Sequence, residues 1–523
     1  MSYVTNLDTP LLKLSSQDRF TLRDACAGVH CFGAIGSGKS SGPGKTLASA
    51  YLRAGMGGVI CCAKPEEVTL WVDYAKRNGR SKSLLIFDES QGFNFLSYEL
   101  RRQGVHGLGS VVDCLMHVVE SSNQAVGMNG QSGDQFWLES IRQGLSFCVP
   151  LLFSAWGDVT VKAITDFVTS AATNGEQYMD GSFAERSFAA RTLRKAIDAP
   201  VVALPEAEQR SLLEYWFLAW PGIPDKTRGN VVISLTTKLD RFTRGRLRDC
   251  YCGKTTIVPE MCFQGAIVLL AQPALTWNED GIIGQQLFKF MWQRAVESRN
   301  GLDKRQRDRP VFLWADEAQY FVNDKDEAFL STCRASRACV VYLSQTLPTY
   351  YARMGAQKHD AAEALVGKFA TQLFCANACS KTNQYASQLI GRGIQYRATQ
   401  GRSQGTNFSS GMNDGGSTNQ GTSSNSGGSH SFGQGGGSIN HGSSSSSGSA
   451  ENWGTNIGRG RNAGTSTSVA ETLENLIEPR FFASELRTGG SAHHNTVSAI
   501  WFKASGQFRG ANGSNVLQVS FRQ

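Results

Sequence analysis

The segment Gly33-Ala34-Ile35-Gly36-Ser37-Gly38-Lys39-Ser40 constrains this chain more than any other. It fits G-x-x-x-x-G-K-[S/T] without a mismatch, a spacing in which glycines let successive backbone N–H groups turn inward around a phosphate. An apolar run, Gly28–Phe32, leads into it, and a helical stretch near Thr46–Ala54 follows, so a helix N-terminus adds its positive dipole end. The next apolar run, Gly58–Cys62, completes strand, loop, helix, strand, the βαβ unit of a parallel sheet. In this pattern Lys39 reaches the β- and γ-phosphates, the Ser40 hydroxyl ligates Mg²⁺, and Ser41 joins the nucleotide contacts. The implied ligands are ATP and Mg²⁺. A second candidate, Gly44-Lys45-Thr46, has lysine instead of glycine at position 39 and is read as the next helical turn.

A phosphate loop of this kind needs an acidic partner at the end of a buried strand. Val311-Phe-Leu-Trp-Ala-Asp316-Glu317-Ala-Gln319 supplies one. Asp316 is expected in the Mg²⁺ shell, and Glu317 is expected to polarise the attacking water. Downstream lie Arg334 and Arg337, then an apolar run Val340–Leu343 ending in Ser344-Gln345. Gln345 would place an amide beside the γ-phosphate. Arg334 is either an arginine finger acting across a subunit boundary or an ordinary solvated charge.

At 523 residues the chain exceeds one hydrophobic core. Its α/β pattern (further runs at Ser83–Phe87, Gly265–Ala271 and Ala370–Phe374) is interrupted between about 103 and 225, where Asp134–Phe153, Val159–Ala172 and Ser182–Ile197 read as helices. The expected layout is an α/β P-loop NTPase (RecA-like) domain split over 1–102, 226–398 and 469–523, with an inserted all-α domain at 103–225. Between 399 and 468 Ser, Gly, Asn and Thr dominate, a composition too poor in aliphatic groups to offset ordering entropy, so this stretch is expected to be a disordered linker. Val497–Phe502 and Val516–Phe521 then alternate as strands. The 13 cysteines, mostly in apolar runs, read as reduced thiols rather than a disulfide framework. No run approaches the roughly 18 apolar residues of a membrane span.

The glycine-rich loop, Asp-Glu-Ala-Gln and a later strand ending in Gln together resemble the FtsK/HerA group of ring-shaped motor ATPases. Further segments are similar to the TraG/TraD-like coupling proteins of type IV secretion and conjugation: Val59–Glu67 with Phe93-Asn94-Phe95-Leu96, Gln135-Phe136-Trp137, Lys226-Thr-Arg228 with Leu239, and Leu486-Arg-Thr-Gly489. The similarity spans roughly 19–400 and 470–523. Ala63 stands where that family usually has Asp, and Pro65 where it has Gly, which puts Lys64 and Glu66 in question as family positions. Family members typically carry membrane helices ahead of the P-loop, whereas 32 residues precede Gly33 here and read as none.

The resemblance implies a homo-hexameric ring that couples ATP turnover to movement of DNA, with or without attached protein, toward a secretion channel. Its implied partners are DNA without sequence preference, a relaxase or other secretion substrate, and membrane machinery reached through another protein. Its implied location is the cytoplasm, at the inner face of the bacterial inner membrane. Net charge is +8, and Lys226–Lys254 holds eight basic residues against Asp240 and Asp249, either a phosphate-contacting stripe or a solvated face. Two other readings remain open: an ATP-switched receptor for protein substrates, and an ATPase of a DNA-processing or defence complex.

Overall fold

The computed structural model describes residues 3–125, 134–323, 325–355, 358–411, 423–433, 436–446 and 456–523. Two compact units divide the chain: Met1–Asn383 with Arg480–Gln523, and Gln384–Pro479. The inserted helices fall in the first unit together with the α/β part.

That unit is built on a nine-stranded sheet: β1 Val29–Phe32, β2 Gly57–Cys61, β3 Leu84–Phe87, β4 Ile267–Leu270, β5 Val311–Ala315, β6 Ala338–Ser344, β7 Thr371–Phe374, β8 Thr496–Lys503 and β9 Val516–Arg522. Their spatial order is β9-β8-β7-β1-β6-β5-β2-β4-β3. The pairings from β7 across to β3 are parallel; β8 is antiparallel to both β7 and β9. Every residue of β1, β2, β4, β5, β6 and β7 is buried, which explains their unbroken apolar runs: helices cover both faces of a parallel sheet. Because β1, β5 and β6 run the same way, the loops leaving their C-terminal ends share one edge. β6 lies between the other two, so Gln345 emerges between the phosphate loop and Asp316.

The insert is helical, with Leu108–Ala125, Asp134–Trp156 and Val161–Ser170 among its longer members, and Asp225–Leu239, expected in the α/β part, packs against these helices. Trp216 is wholly buried, stacks edge-on with Phe167 at 4.8 Å and donates its indole N–H to the Phe147 carbonyl. The single helix expected over Ser182–Ile197 is two, Gly181–Arg186 and Phe188–Asp198. Ser187 turns extended there and its hydroxyl caps the Ala190 N–H, so the break is a built N-terminus. Among the described residues no single helix is long and apolar enough to cross a membrane.

The second unit departs from the expectation for 399–468. Arg392–Gly411 pairs antiparallel with Asn456–Asn475, and Ser423–Gly433 with Gly436–Ser446. An antiparallel ladder satisfies backbone donors and acceptors from the backbone itself, so a Ser/Gly-rich sequence can pair without an apolar core. The remainder of the expected linker, 412–422, 434–435 and 447–455, lies outside the described residues.

Candidate nucleotide site

The phosphate loop begins where β1 ends. The Gly33 N–H donates to the Ser344 carbonyl and the Ala34 N–H to the Ala376 carbonyl, anchoring the loop to the ends of β6 and β7. Gly36 and Gly38 take φ of +76° and +79°, which L side chains rarely adopt. A Cβ at Gly36 would meet nothing within 4 Å, so the loop leaves open space at that point. A Cβ at Gly38 would lie 2.4 Å from Val497 Cγ2, so β8 backs the loop tightly. Ile35 is exposed, whereas the Ser37 hydroxyl is buried without a hydrogen-bond partner.

Pro43 shapes the next turn. Lacking an N–H, it leaves the Lys39 carbonyl to the Gly44 N–H at 2.8 Å, and Ser40–Gly44 forms a wide turn before the helix Lys45–Arg53. Gly44-Lys45-Thr46 is therefore the start of that helix and no second phosphate loop. The Ser41 hydroxyl accepts from Gln523 Nε2 at 2.7 Å.

The Ser40 hydroxyl donates to Asp316 Oδ2 at 2.5 Å, so the two expected Mg²⁺ ligands converge. Past Asp316 the chain turns sharply: Glu317 sits at φ 53°, ψ 49°, a left-handed conformation uncommon outside glycine. That turn aims its side chain, 2% exposed, at the phosphate loop. Lys39 Nζ lies 3.4 Å and Lys64 Nζ 3.1 Å from Glu317 Oε1. Gln345 Nε2 donates to both carboxylate oxygens at 3.1 Å, and Gln319 Nε2 to Oε2 at 3.0 Å. Burial by itself would raise this carboxyl; the Lys39 charge, the Gln319 and Gln345 amides and the Lys64 charge outweigh it and hold the group down to about 2. Glu317 is therefore an anion at neutral pH, the state required of a base. Asn377 Nδ2 donates to the Gln345 carbonyl at 2.7 Å and fixes the loop after β6.

The structure thus brings together Lys39, Ser40, Asp316, Glu317 and Gln345. It does not bring Arg334 to them. Arg334 is exposed in the turn before β6, the whole seven-residue strand away from Gln345, roughly 23 Å at 3.3 Å per residue. The sequence reading missed the roles of Gln319, Asn377 and Val497. Gln319 had a local signal, the Asp-Glu-Ala-Gln run; Val497 lies 459 residues from Gly38 and had none.

Much of the basic segment carries partners. Arg228 is buried, donating to the Trp220, Pro221 and Ile223 carbonyls and paired with Asp225. Arg241 pairs with Glu279 and Asp280, Arg244 with Asp240, Arg246 with Glu89, and Arg248 with Asp249.

The site fits Mg²⁺ and a nucleotide triphosphate on three grounds: open space above Gly36, an unpartnered buried Ser37 hydroxyl, and Ser40 and Asp316 side by side. Comparison with known proteins agrees with this frame. The family model "TraM recognition site of TraD and TraG" matches residues 310–430. No curated protein matches the chain. The unbound monoclinic form of the bacterial conjugative coupling protein TrwBdeltaN70 is 14% identical, with a TM-score of 0.52, covering 97% of this chain and 89% of that one. Its trigonal form in complex with sulphate is 13% identical, also with a TM-score of 0.52, over 98% and 90%. The fold is accordingly that of a RecA-like P-loop NTPase with an inserted all-α domain. Residues 310–430 thus match a TraD/TraG family model, on a fold similar to that of a conjugative coupling protein.

Proposed function

We propose that the chain is an ATP-hydrolysing motor that moves DNA, alone or with attached protein, toward a type IV secretion or conjugation channel. The observation that carries the reading is the convergence on Glu317: one buried anion held at the γ-phosphate end of a P-loop by Lys39, Lys64, Gln319 and Gln345. Such a group, beside an Asp–Ser pair able to hold Mg²⁺, is arranged to orient and polarise a water for attack on phosphorus. Bound Mg²⁺ would supply charge neutralisation on the phosphates. Lys39 would bind the β/γ-phosphates, and Gln345 would join the γ-phosphate to Glu317.

The motor would work as a homo-hexamer, with Arg334 completing a neighbour's site. Its exposure and distance from its own phosphate loop support a role in trans. The ring would act in the cytoplasm at the inner face of the membrane, joined to the secretion machinery through a partner protein and receiving a relaxase or similar substrate.

A second reading, an ATP-switched receptor for protein substrates, draws support from one observation. The ion pairs along Arg241–Arg248 leave that stripe little free positive charge for phosphates. ATP turnover measured with and without single- and double-stranded DNA separates the two. The motor requires stimulation by DNA that falls steeply with salt; turnover indifferent to DNA but responsive to a protein cargo would favour the receptor.

A further inference from the structure

We propose that Lys64 is a second phosphate-contacting cation of the nucleotide site, supplied by the same chain as Lys39. The proposal rests on the reading of this site as an ATP-hydrolysing one and names a further residue that acts in it.

Lys64 follows Cys61, Cys62 and Ala63 out of the C-terminal end of β2, the strand beside β5. Pro65 comes next and opens the helix Pro65–Arg77, so the residue before it is held extended, at φ −119° and ψ 147°. That backbone directs the side chain across the end of β5 to Glu317 rather than along its own helix. Lys64 Nζ and Lys39 Nζ share a single oxygen, Glu317 Oε1, at 3.1 and 3.4 Å, so the two ammoniums lie within about 6.5 Å of each other. This is the span of one phosphate group. The motif already assigns Lys39 to the β/γ-phosphates; whatever anion Lys39 reaches is within reach of Lys64.

The two lysines differ in their surroundings. The Lys39 side chain is 8% exposed and fixed in the loop, whereas that of Lys64 is 43% exposed on a flexible four-carbon stem. Lys39 and Lys64 share one oxygen of Glu317, with Asp316 beside them at the same strand end, and a γ-phosphate entering between Glu317 and the loop competes with these carboxylates for both ammoniums. In hydrolysis the water oxygen bonds to the γ-phosphorus while the bond to the bridging oxygen breaks, its electron pair leaving on ADP and the water proton passing toward Glu317. Negative charge on the transferring group and the bridging oxygen then falls between Lys39 and Lys64, a cation provided in cis whatever Arg334 does across a subunit boundary.

The test uses the full chain with Mg²⁺ and compares Lys64→Met, Lys64→Gln, Lys64→Arg and Lys39→Ala with the parent. Turnover is measured together with binding of ADP and of ADP plus aluminium fluoride, a mimic of the transferring phosphoryl group. In Lys64→Met and Lys64→Gln, kcat should fall at least tenfold with KM and ADP affinity within threefold of the parent, while affinity for the aluminium fluoride complex falls in step with kcat. Lys64→Arg, which keeps the charge, should recover part of both. Parent-like kcat in the neutral variants would overturn the proposal. So would a loss of ADP affinity and thermal midpoint as large as the loss of turnover, which would make Lys64 a structural anchor of Glu317. Should Lys39→Ala turn over ATP like the parent, the underlying hydrolase reading fails first; an inactive Lys39→Ala beside an unimpaired Lys64→Met refutes Lys64 alone.

Discussion

Replacing Glu317 with Gln keeps the side chain's shape and removes its charge, and the groups around it show what is lost. Four donors converge on the carboxylate, two of them cationic. The variant should bind nucleotide within a few-fold of the parent and hydrolyse it at least a hundredfold more slowly, the scale expected of a water-activating group; single-turnover assays separate the two effects. Near-parental hydrolysis would assign the base elsewhere. His30 makes a different prediction. It is wholly buried in β1, its Nε2 is 2.8 Å from the Tyr350 hydroxyl, and burial lowers the ring to about 3. Between about 3 and its unfolded value of 6.5 the unfolded chain binds a proton that the folded one does not, so stability declines as pH drops below about 6.5. Thermal midpoints between pH 7.5 and 5 should show that decline, and His30→Asn should show a shallower one.

At the scale of elements, the βαβ start, the acidic strand end and the strand ending in Gln345 were all legible, because each signal is local. A continuous apolar run marks a strand covered on both faces, and a phosphate loop announces its own geometry. Two local signals were passed over: Pro43, which widens the turn after the loop, and Ser187, which splits a helix. What no local pattern shows is the contact of β8 with the phosphate loop. Gly38→Ala tests it. The variant meets both a φ of +79° and Val497 Cγ2 at 2.4 Å, so it should lower the thermal midpoint and weaken nucleotide binding. Adding Val497→Ala relieves the clash but not the dihedral strain, so recovery should be partial. A Gly38→Ala protein as stable as the parent would show that β8 yields easily.

For the whole molecule, the ring reading turns on Arg334. A chain with Arg334→Ala should bind ATP and hydrolyse it poorly, and mixing it with a Lys39→Ala chain should restore activity, because some sites in mixed rings then combine both intact halves. No recovery in rings shown to be mixed would remove the shared site. The second unit offers a separate test. Arg402 and Thr465 are cross-strand partners, so an Asn-Gly turn can join them directly in place of residues 403–464. The shortened chain should fold and keep basal ATP turnover; loss of both would make the excised strands part of the catalytic fold.

The tight seat of Val497 against Gly38 and Gly42 also bears on the order in which the molecule comes into being. The loop's backing strand is made 459 residues after Gly38, roughly 20 to 90 s later at 5–20 residues per second. During that interval the nascent chain carries a phosphate loop without its wall. Until β8 has left the ribosome and paired with β7, the loop lacks the strand that backs it in the finished geometry.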